Sequence, residues 1–155
     1  MSLLDDDYDF EFPKSPWHIE PEDLNDTRLA KAARERRVLM ISVPENRLTR
    51  ELCLIFISAD GANLRFVPCA IRNAAFDREA VMLDAWAFGY LDAGKKTGKL
   101  LIEAINESEN FDYYMLGEEW AIDRRLLTTA VIDAANVKFG AVNVSKIIGE
   151  RKDDR

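Results

Sequence analysis

An all-α fold is what the sequence predicts: five or six helices built from imperfect helix–linker repeats, stacked as an irregular bundle or short solenoid, with an extended N-terminal tail. Three observations carry that expectation. Short phrases recur, with Val43-Pro44-Glu45-Asn46 echoed by Val67-Pro68, and Thr49-Arg50-Glu51 echoed by Asp77-Arg78-Glu79 and Asp123-Arg124-Arg125. Thr or Asp residues able to cap a helix are followed by apolar residues three, four, seven and eight positions on, the spacing of one helical face. Glycines and polar linkers punctuate the chain where such helices would end.

Residues 1–20 read as an acidic, aromatic tail, in which Asp5-Asp6-Asp7-Tyr8-Asp9-Phe10-Glu11-Phe12-Pro13 alternates acid with ring before Pro16, Trp17 and His18. The expectation is that this tail lies on its own domain through Phe10, Phe12 and Trp17. The helical domain spans 21–149. Its first helix starts near Pro21, a residue suited to the first turn, and carries a weak stripe of Leu24, Arg28, Leu29, Ala32 and Ala33 as far as Arg37. Val38–Val43 could form a strand, yet it precedes Val-Pro just as Asn63–Phe66 does, so both are read as helix ends running into extended linkers. Proline disfavours helical geometry in the residue before it, which places breaks at Val43 and Val67.

Four helices follow, with expected caps at Thr49, Asp77, Thr97 and Asp123. Their core-facing sets are Leu52, Cys53, Phe56, Ile57; Ala80, Val81, Asp84, Ala85; Leu100, Leu101, Ala104, Ile105; and Leu126, Leu127, Ala130, Val131. Only the second set carries a charge. The Asp77 helix is expected to run on through Trp86, Phe88 and Leu91, apolar nearly all round, which makes it central or an interface. Gly61 and Gly94 are read as helix stops, Val144–Gly149 as a last short helix, and residues 150–155 as a charged tail.

The stretch from Val43 to Ala85 resembles a bacterial family of short helical repeats, domain of unknown function 4116. The residues that carry the resemblance are Val43-Pro44-Glu45-Asn46, Thr49-Arg50-Glu51, Gly61-Ala62-Asn63-Leu64-Arg65-Phe66-Val67-Pro68 and Asp77-Arg78-Glu79-Ala80-Val81. Asp123 to Phe139 matches more loosely. The chain departs from the pattern by inserting Asn73-Ala74-Ala75-Phe76 before Asp77, and by lacking Val-Pro at Met115-Leu116. The resemblance implies a helical-repeat fold. It implies no catalytic residue, because the family's function is not established.

Charge and composition narrow the function. With 28 acidic against 21 basic residues the net charge is −7, which disfavours a nucleic-acid binder, since affinity for phosphate backbones rests on clustered Lys and Arg. The one basic run, Arg34, Arg36 and Arg37, is small. No apolar stretch is long enough to cross a membrane, and no secretory signal opens the sequence. A cytoplasmic setting is expected, with secretion as an effector left open. Two cysteines and one histidine do not make the usual zinc site, and the common phosphate, nucleotide, hydrolase and metalloprotease motifs are missing. No catalytic, cofactor-binding or metal residue is therefore assigned, and no cofactor.

Glu118-Glu119 beside Trp120 reads as a solvated turn whose Trp packs inward, rather than as an acid/base pair. The arginines Arg50, Arg78 and Arg124 sit poorly near helix starts, where the dipole favours acids, so each is expected to reach a neighbouring element. Trp86 and Tyr90, four apart, are read as one face of the Asp77 helix. The expected activity is a non-enzymatic protein–protein interaction or self-association module. Its candidate contacts are Phe10, Phe12, Trp17, Arg50, Arg78, Arg124, Trp86 and Tyr90, and its partner is another protein or a second copy. The alternatives are an enzyme or effector whose site is assembled from scattered Arg and Asp/Glu, and a small regulatory domain touching nucleic acid around Arg34–Arg37.

Overall fold

The computed structural model describes residues 19–151. Among them the fold is all-helical, with six α-helices, eight short 3₁₀ helices and no strand. The tail residues Phe10, Phe12, Trp17 and His18 lie outside the described residues.

The α-helices are α1 (Asp26–Arg34), α2 (Arg50–Ala59), α3 (Ala74–Leu83), α4 (Gly98–Glu107), α5 (Thr129–Phe139) and α6 (Ala141–Glu150). Five of them start with a side chain accepting from the amide three residues on, which satisfies one of the donors a helix start leaves open. The caps are Asn25, Thr49, Asn73, Thr97 and Thr128. The first four stand 24 residues apart (25, 49, 73, 97), and the fifth follows after 31 (97 to 128). Thr49 and Thr97 are the caps the sequence points to; the other two expected caps are not. Asn73 Oδ1 accepts from Phe76 N at 2.8 Å, so the apparent insertion Asn73–Phe76 is the first turn of α3. Asp77 then falls on the core-facing side. Asp123 caps a 3₁₀ helix, Arg124–Leu126, through Arg125 N at 2.8 Å, and Thr128 starts the α-helix instead. The first helix begins after Asn25, and Pro21 belongs to a 3₁₀ turn, Pro21–Asp23.

With the caps corrected, the apolar register repairs itself. After Asn73 the positions three, four, seven and eight on are Phe76, Asp77, Ala80 and Val81, all buried. The exception is instructive. Asp77 occupies the position filled by Leu29, Cys53 and Leu101 in the other units, is 3 % exposed, and sits 3.0 Å from Arg72 Nε and 3.6 Å from Lys95 Nζ. A buried carboxylate needs such partners, because desolvation otherwise outweighs what burial returns.

A second layer is made of 3₁₀ helices. Gly61–Phe66, Ala85–Tyr90 and Tyr113–Gly117 each follow an α-helix. Each opens on an aspartate, Asp60, Asp84 or Asp112, whose carboxylate accepts from the amide two residues on, the local turn that short acidic side chains favour. Asp60 and Asp84 have extended backbone (φ −158° and −143°), and that is what stops α2 and α3. The single long helix expected from Asp77 to Leu91 is therefore two elements, and Trp86 and Tyr90 lie on the second. Gly61 is no left-handed stop either. A Cβ there would lie 2.7 Å from Ala87 N, so its smallness lets adjacent 3₁₀ helices approach. Gly94, inside the 3₁₀ turn Ala93–Lys95, has open space around it.

Consecutive α-helices pack side by side from α1 to α6, and the 3₁₀ helix Gly61–Phe66 packs on Ala85–Tyr90. The core between the layers holds Phe56, Phe76, Phe88, Ile105, Met115 and Ile122, each fully buried. Gly140, at φ +86°, turns α5 into α6, which folds back onto Tyr113–Gly117. Of the residues expected in a charged tail from 150, Glu150 ends α6 and Arg151 caps it. Arg151 is buried and donates to the carbonyls of Leu116 and Ile122, both at 2.7 Å. It latches the C-terminal end of α6.

Candidate functional site

The unit that is 31 residues long contains the extra chain that builds the site. Its segment Glu118–Asp123 brings Trp120 back over the 3₁₀ helix Ala85–Tyr90 of the unit before. Trp120 stacks on Trp86 with centroids 5.8 Å apart and planes 13° off parallel, and it meets Tyr90 at 5.2 Å and 54°. In a 3₁₀ helix residues three apart eclipse one another, so Gly89 shares the column of Trp86. A Cβ on Gly89 would stand 2.4 Å from Trp120 Cζ3. The glycine is what lets the indole lie flush. Arg65, from the unit before, places its guanidinium 5.1 Å above Tyr90 and 5.1 Å from the Phe66 ring. Four rings and one cation thus form a continuous shelf across three units.

Asp84 holds the shelf in register. Its Oδ1 accepts from Trp86 N at 3.0 Å and from Asn110 Nδ2 at 2.9 Å, while its Oδ2 accepts from Gly61 N at 2.7 Å. Asn110 Oδ1 in turn accepts from Ala85 N at 2.8 Å. One carboxylate therefore ties the 3₁₀ helix of its own unit to the units on both sides. The shelf is hydrogen-bonded at its base and open where it faces water: Trp120 is 49 % exposed.

Beside the shelf lies a cavity of about 420 Å³ lined by Ala93, Lys96, Glu119, Asp123, Arg125 and Leu126. Lys96 Nζ donates to Trp120 O at 3.3 Å. Its charges are largely engaged with one another. Arg125 binds Asp123 through Nε at 3.1 Å and Nη2 at 3.0 Å. Those hydrogen bonds, with the Arg125 amide, hold the Asp123 carboxyl down to about 2 and push the guanidinium up. Glu119 lies 3.6 Å from Arg124 and 3.8 Å from Arg151. Burial pulls the Arg151 guanidinium below its ordinary value, with Glu119 opposing. What remains is a mixed-charge rim beside an aromatic surface. A nucleophile with an adjacent general base, the pairing covalent catalysis needs, is not formed by these six residues.

The structure separates the expected contact residues. Trp86 and Tyr90 lie in the shelf. Arg50 in α2 pairs with Glu79 in α3 and lies 5.8 Å from the Phe76 ring. Arg78 in α3 reaches Glu103 at 2.6 Å and Glu107 at 3.1 Å in α4, and those bonds raise its pKa. Arg124 donates to Arg151 O at 3.0 Å. Arg50 and Arg78 each join one α-helix to the next, Arg124 reaches past α5 to the end of α6, and the three do not converge on one surface. Glu118 and Glu119 are exposed in a turn, as expected. Trp120 does not pack inward as expected: it lies on the outside of the preceding unit, because the core beneath is already filled by Ala121 and Ile122, both fully buried.

Sequence reasoning missed Trp120, Gly89, Arg65 and Lys96. The signal for the first was the length of its unit, seven residues beyond the 24 of the others (31 against 24), visible only once the caps are placed correctly. Among the described residues no three His, Cys, Asp or Glu side chains group as a metal site requires, and no helix is long and apolar enough to cross a membrane. Set against protein-family models, curated proteins and solved structures, the chain matches none of them.

Proposed function

We propose that the protein is a protein–protein interaction module, and that the partner docks on the 3₁₀ layer at the Trp86–Tyr90–Trp120 shelf. The supporting observation is the half-exposed Trp120 itself, stacked on Trp86 over the space that Gly89 leaves, with Lys96 donating to its backbone carbonyl. Large pre-oriented rings lose little entropy on binding and dominate interface energetics, with Trp, Tyr and Arg over-represented among the residues that matter most. The shelf offers all three types, since Arg65 lies over Tyr90. The adjoining cavity gives the partner a place to seat a side chain, and its rim offers both signs of charge for register.

The row of helices capped at a 24-residue spacing fits this reading, because a stacked array presents an extended surface for a partner. The partner is another protein or a second copy. Sedimentation of the purified chain decides between these. Affinity capture with wild type and with Trp120→Ala, compared by quantitative mass spectrometry, tests the reading. It predicts that at least one specific partner, or the self-associated species, is lost in Trp120→Ala while circular dichroism stays unchanged. Identical capture and identical sedimentation of both chains would contradict it.

A further inference from the structure

The aromatic shelf carries charge as well as rings, and part of that charge is not engaged within the chain. Arg65 sets its guanidinium 5.1 Å from the centroid of Tyr90 and 5.1 Å from that of Phe66, while its Nε donates to Ala62 O at 3.1 Å. Two rings and one carbonyl seat the group. Its terminal nitrogens, with four of the five N–H donors of a guanidinium, meet no carboxylate among the described residues. Lys96 stands at the other border, on the rim of the cavity, where one ammonium donor goes to Trp120 O at 3.3 Å. It has no ion-pair partner among the described residues either.

The acids around the shelf are placed differently. Asp84 accepts from Gly61 N, Trp86 N and Asn110 Nδ2, and Asp60 accepts from Ala62 N. Asp123 is bound twice by Arg125, and Glu119 lies 3.6 Å from Arg124 and 3.8 Å from Arg151. Glu118 lines a separate hollow against Ile147 and Arg151. The formal charges nearly cancel, so their sum selects nothing. What selects is engagement, because the four nearest carboxylates already have partners and the two border cations keep donors to give.

We infer that the shelf, on the premise that it is the docking site, selects a partner segment in which acidic residues flank an apolar or aromatic one. The apolar side chain covers Trp120, and the carboxylates meet Arg65 and Lys96. The donors suit that chemistry. A guanidinium stacked on rings keeps its edge free for the paired N–H···O bonds a carboxylate accepts, and an ammonium is a compact charge with donors that rotate. A chain of net charge −7 repels an acidic segment at long range, so the selection is short-ranged and belongs to these two side chains.

Three blocked synthetic peptides test the inference, each with a central Phe joined by single glycines to a pair of Glu, Gln or Lys residues on either side. The indole N–H signals of Trp86 and Trp120 in the ¹⁵N-labelled intact chain report binding, at about 0.15 M salt, where a screening length of about 8 Å mutes the distant acids. The Glu peptide is expected to move both signals and to bind about fivefold tighter than the Gln peptide, with the Lys peptide weakest. Arg65→Gln and Lys96→Gln should each cut that preference to about twofold, the size of one exposed ion pair, and together abolish it. Equal affinity for the Glu and Gln peptides would overturn the charge selection and leave the docking reading standing. A preference for the Lys peptide would overturn it by assigning selection to Glu119 and Asp123. A Glu preference that survives in the double variant would overturn the roles of Arg65 and Lys96. Unmoved indole signals with all three peptides at millimolar concentration would also overturn it, and capture with Trp120→Ala then decides the docking reading separately.

Discussion

Cys53 and Cys69 differ only in where the fold puts them, and that difference is measurable. Cys53 is fully buried in α2, and burial pushes its thiol up to about 11, while Cys69 is exposed. The thiolate is the reactive form, so a thiol reagent at neutral pH should titrate one cysteine in the native chain and both after denaturation. Two reactive thiols in the native state would contradict the packing of α2. The sign of the pH effect follows. The folded pKa lies above the unfolded value of about 8.5, so this contribution to stability is complete below that value. It is lost as pH rises toward about 11, and a Cys53→Ala variant should show a shallower alkaline decline. At Gly89 the space argument gives a second test. Gly89→Ala forces the Trp120 ring aside, since the added Cβ meets it at 2.4 Å. Because that ring is half exposed and can move, the cost should be small, about 1 kcal/mol, while the near-ultraviolet circular dichroism of the stacked Trp86–Trp120 pair collapses.

The caps and registers of single elements carry the next tests. Leu101 is fully buried in α4, and Leu101→Asp should cost roughly 4 kcal/mol by placing an unpaired charge in the core. Coincident thermal melts of variant and wild type would show the register to be wrong. Thr97→Ala should cost about 1 kcal/mol, the usual loss of a cap. Asp77→Ala should cost more, about 2 kcal/mol, because it strands the largely buried Arg72 rather than an exposed amide. Equal losses would favour Asp77 as a cap after all. These residues also mark how far the sequence could be read. Thr49 and Thr97 were legible because each stands directly before an apolar face with no competing cap nearby. At α3 the signal misled: Asn73 and Asp77 are both good caps four residues apart, and the Asp-Arg-Glu phrase favoured the wrong one. The 3₁₀ layer was illegible for a different reason. Its period of three over five or six residues is too brief to tell from a helix end, so Trp86 and Tyr90 were assigned to α3 although Asp84 breaks the chain before them.

At the scale of the molecule, the six α-helices in a row and the facing 3₁₀ layer formed by the described residues leave two broad surfaces with different chemistry. The α surface is crossed by ion pairs between neighbouring helices, Arg50–Glu79 and Arg78–Glu103 among them. Such exposed pairs contribute little each, and they leave the arginines committed. The 3₁₀ surface carries the rings and the cavity. The all-helical architecture could be foreseen from the recurring phrases, whereas the shelf depends on where a seven-residue excess returns the chain, a tertiary fact that no local pattern encodes. The most direct measurement is hydrogen–deuterium exchange of the intact chain, alone and with the partner recovered by capture or at concentrations that drive self-association. Docking on the shelf predicts slowed exchange confined to Gly61–Phe66, Ala85–Tyr90 and Glu118–Asp123. Protection that falls instead on α2 to α4, or no change at either segment on binding, would contradict it.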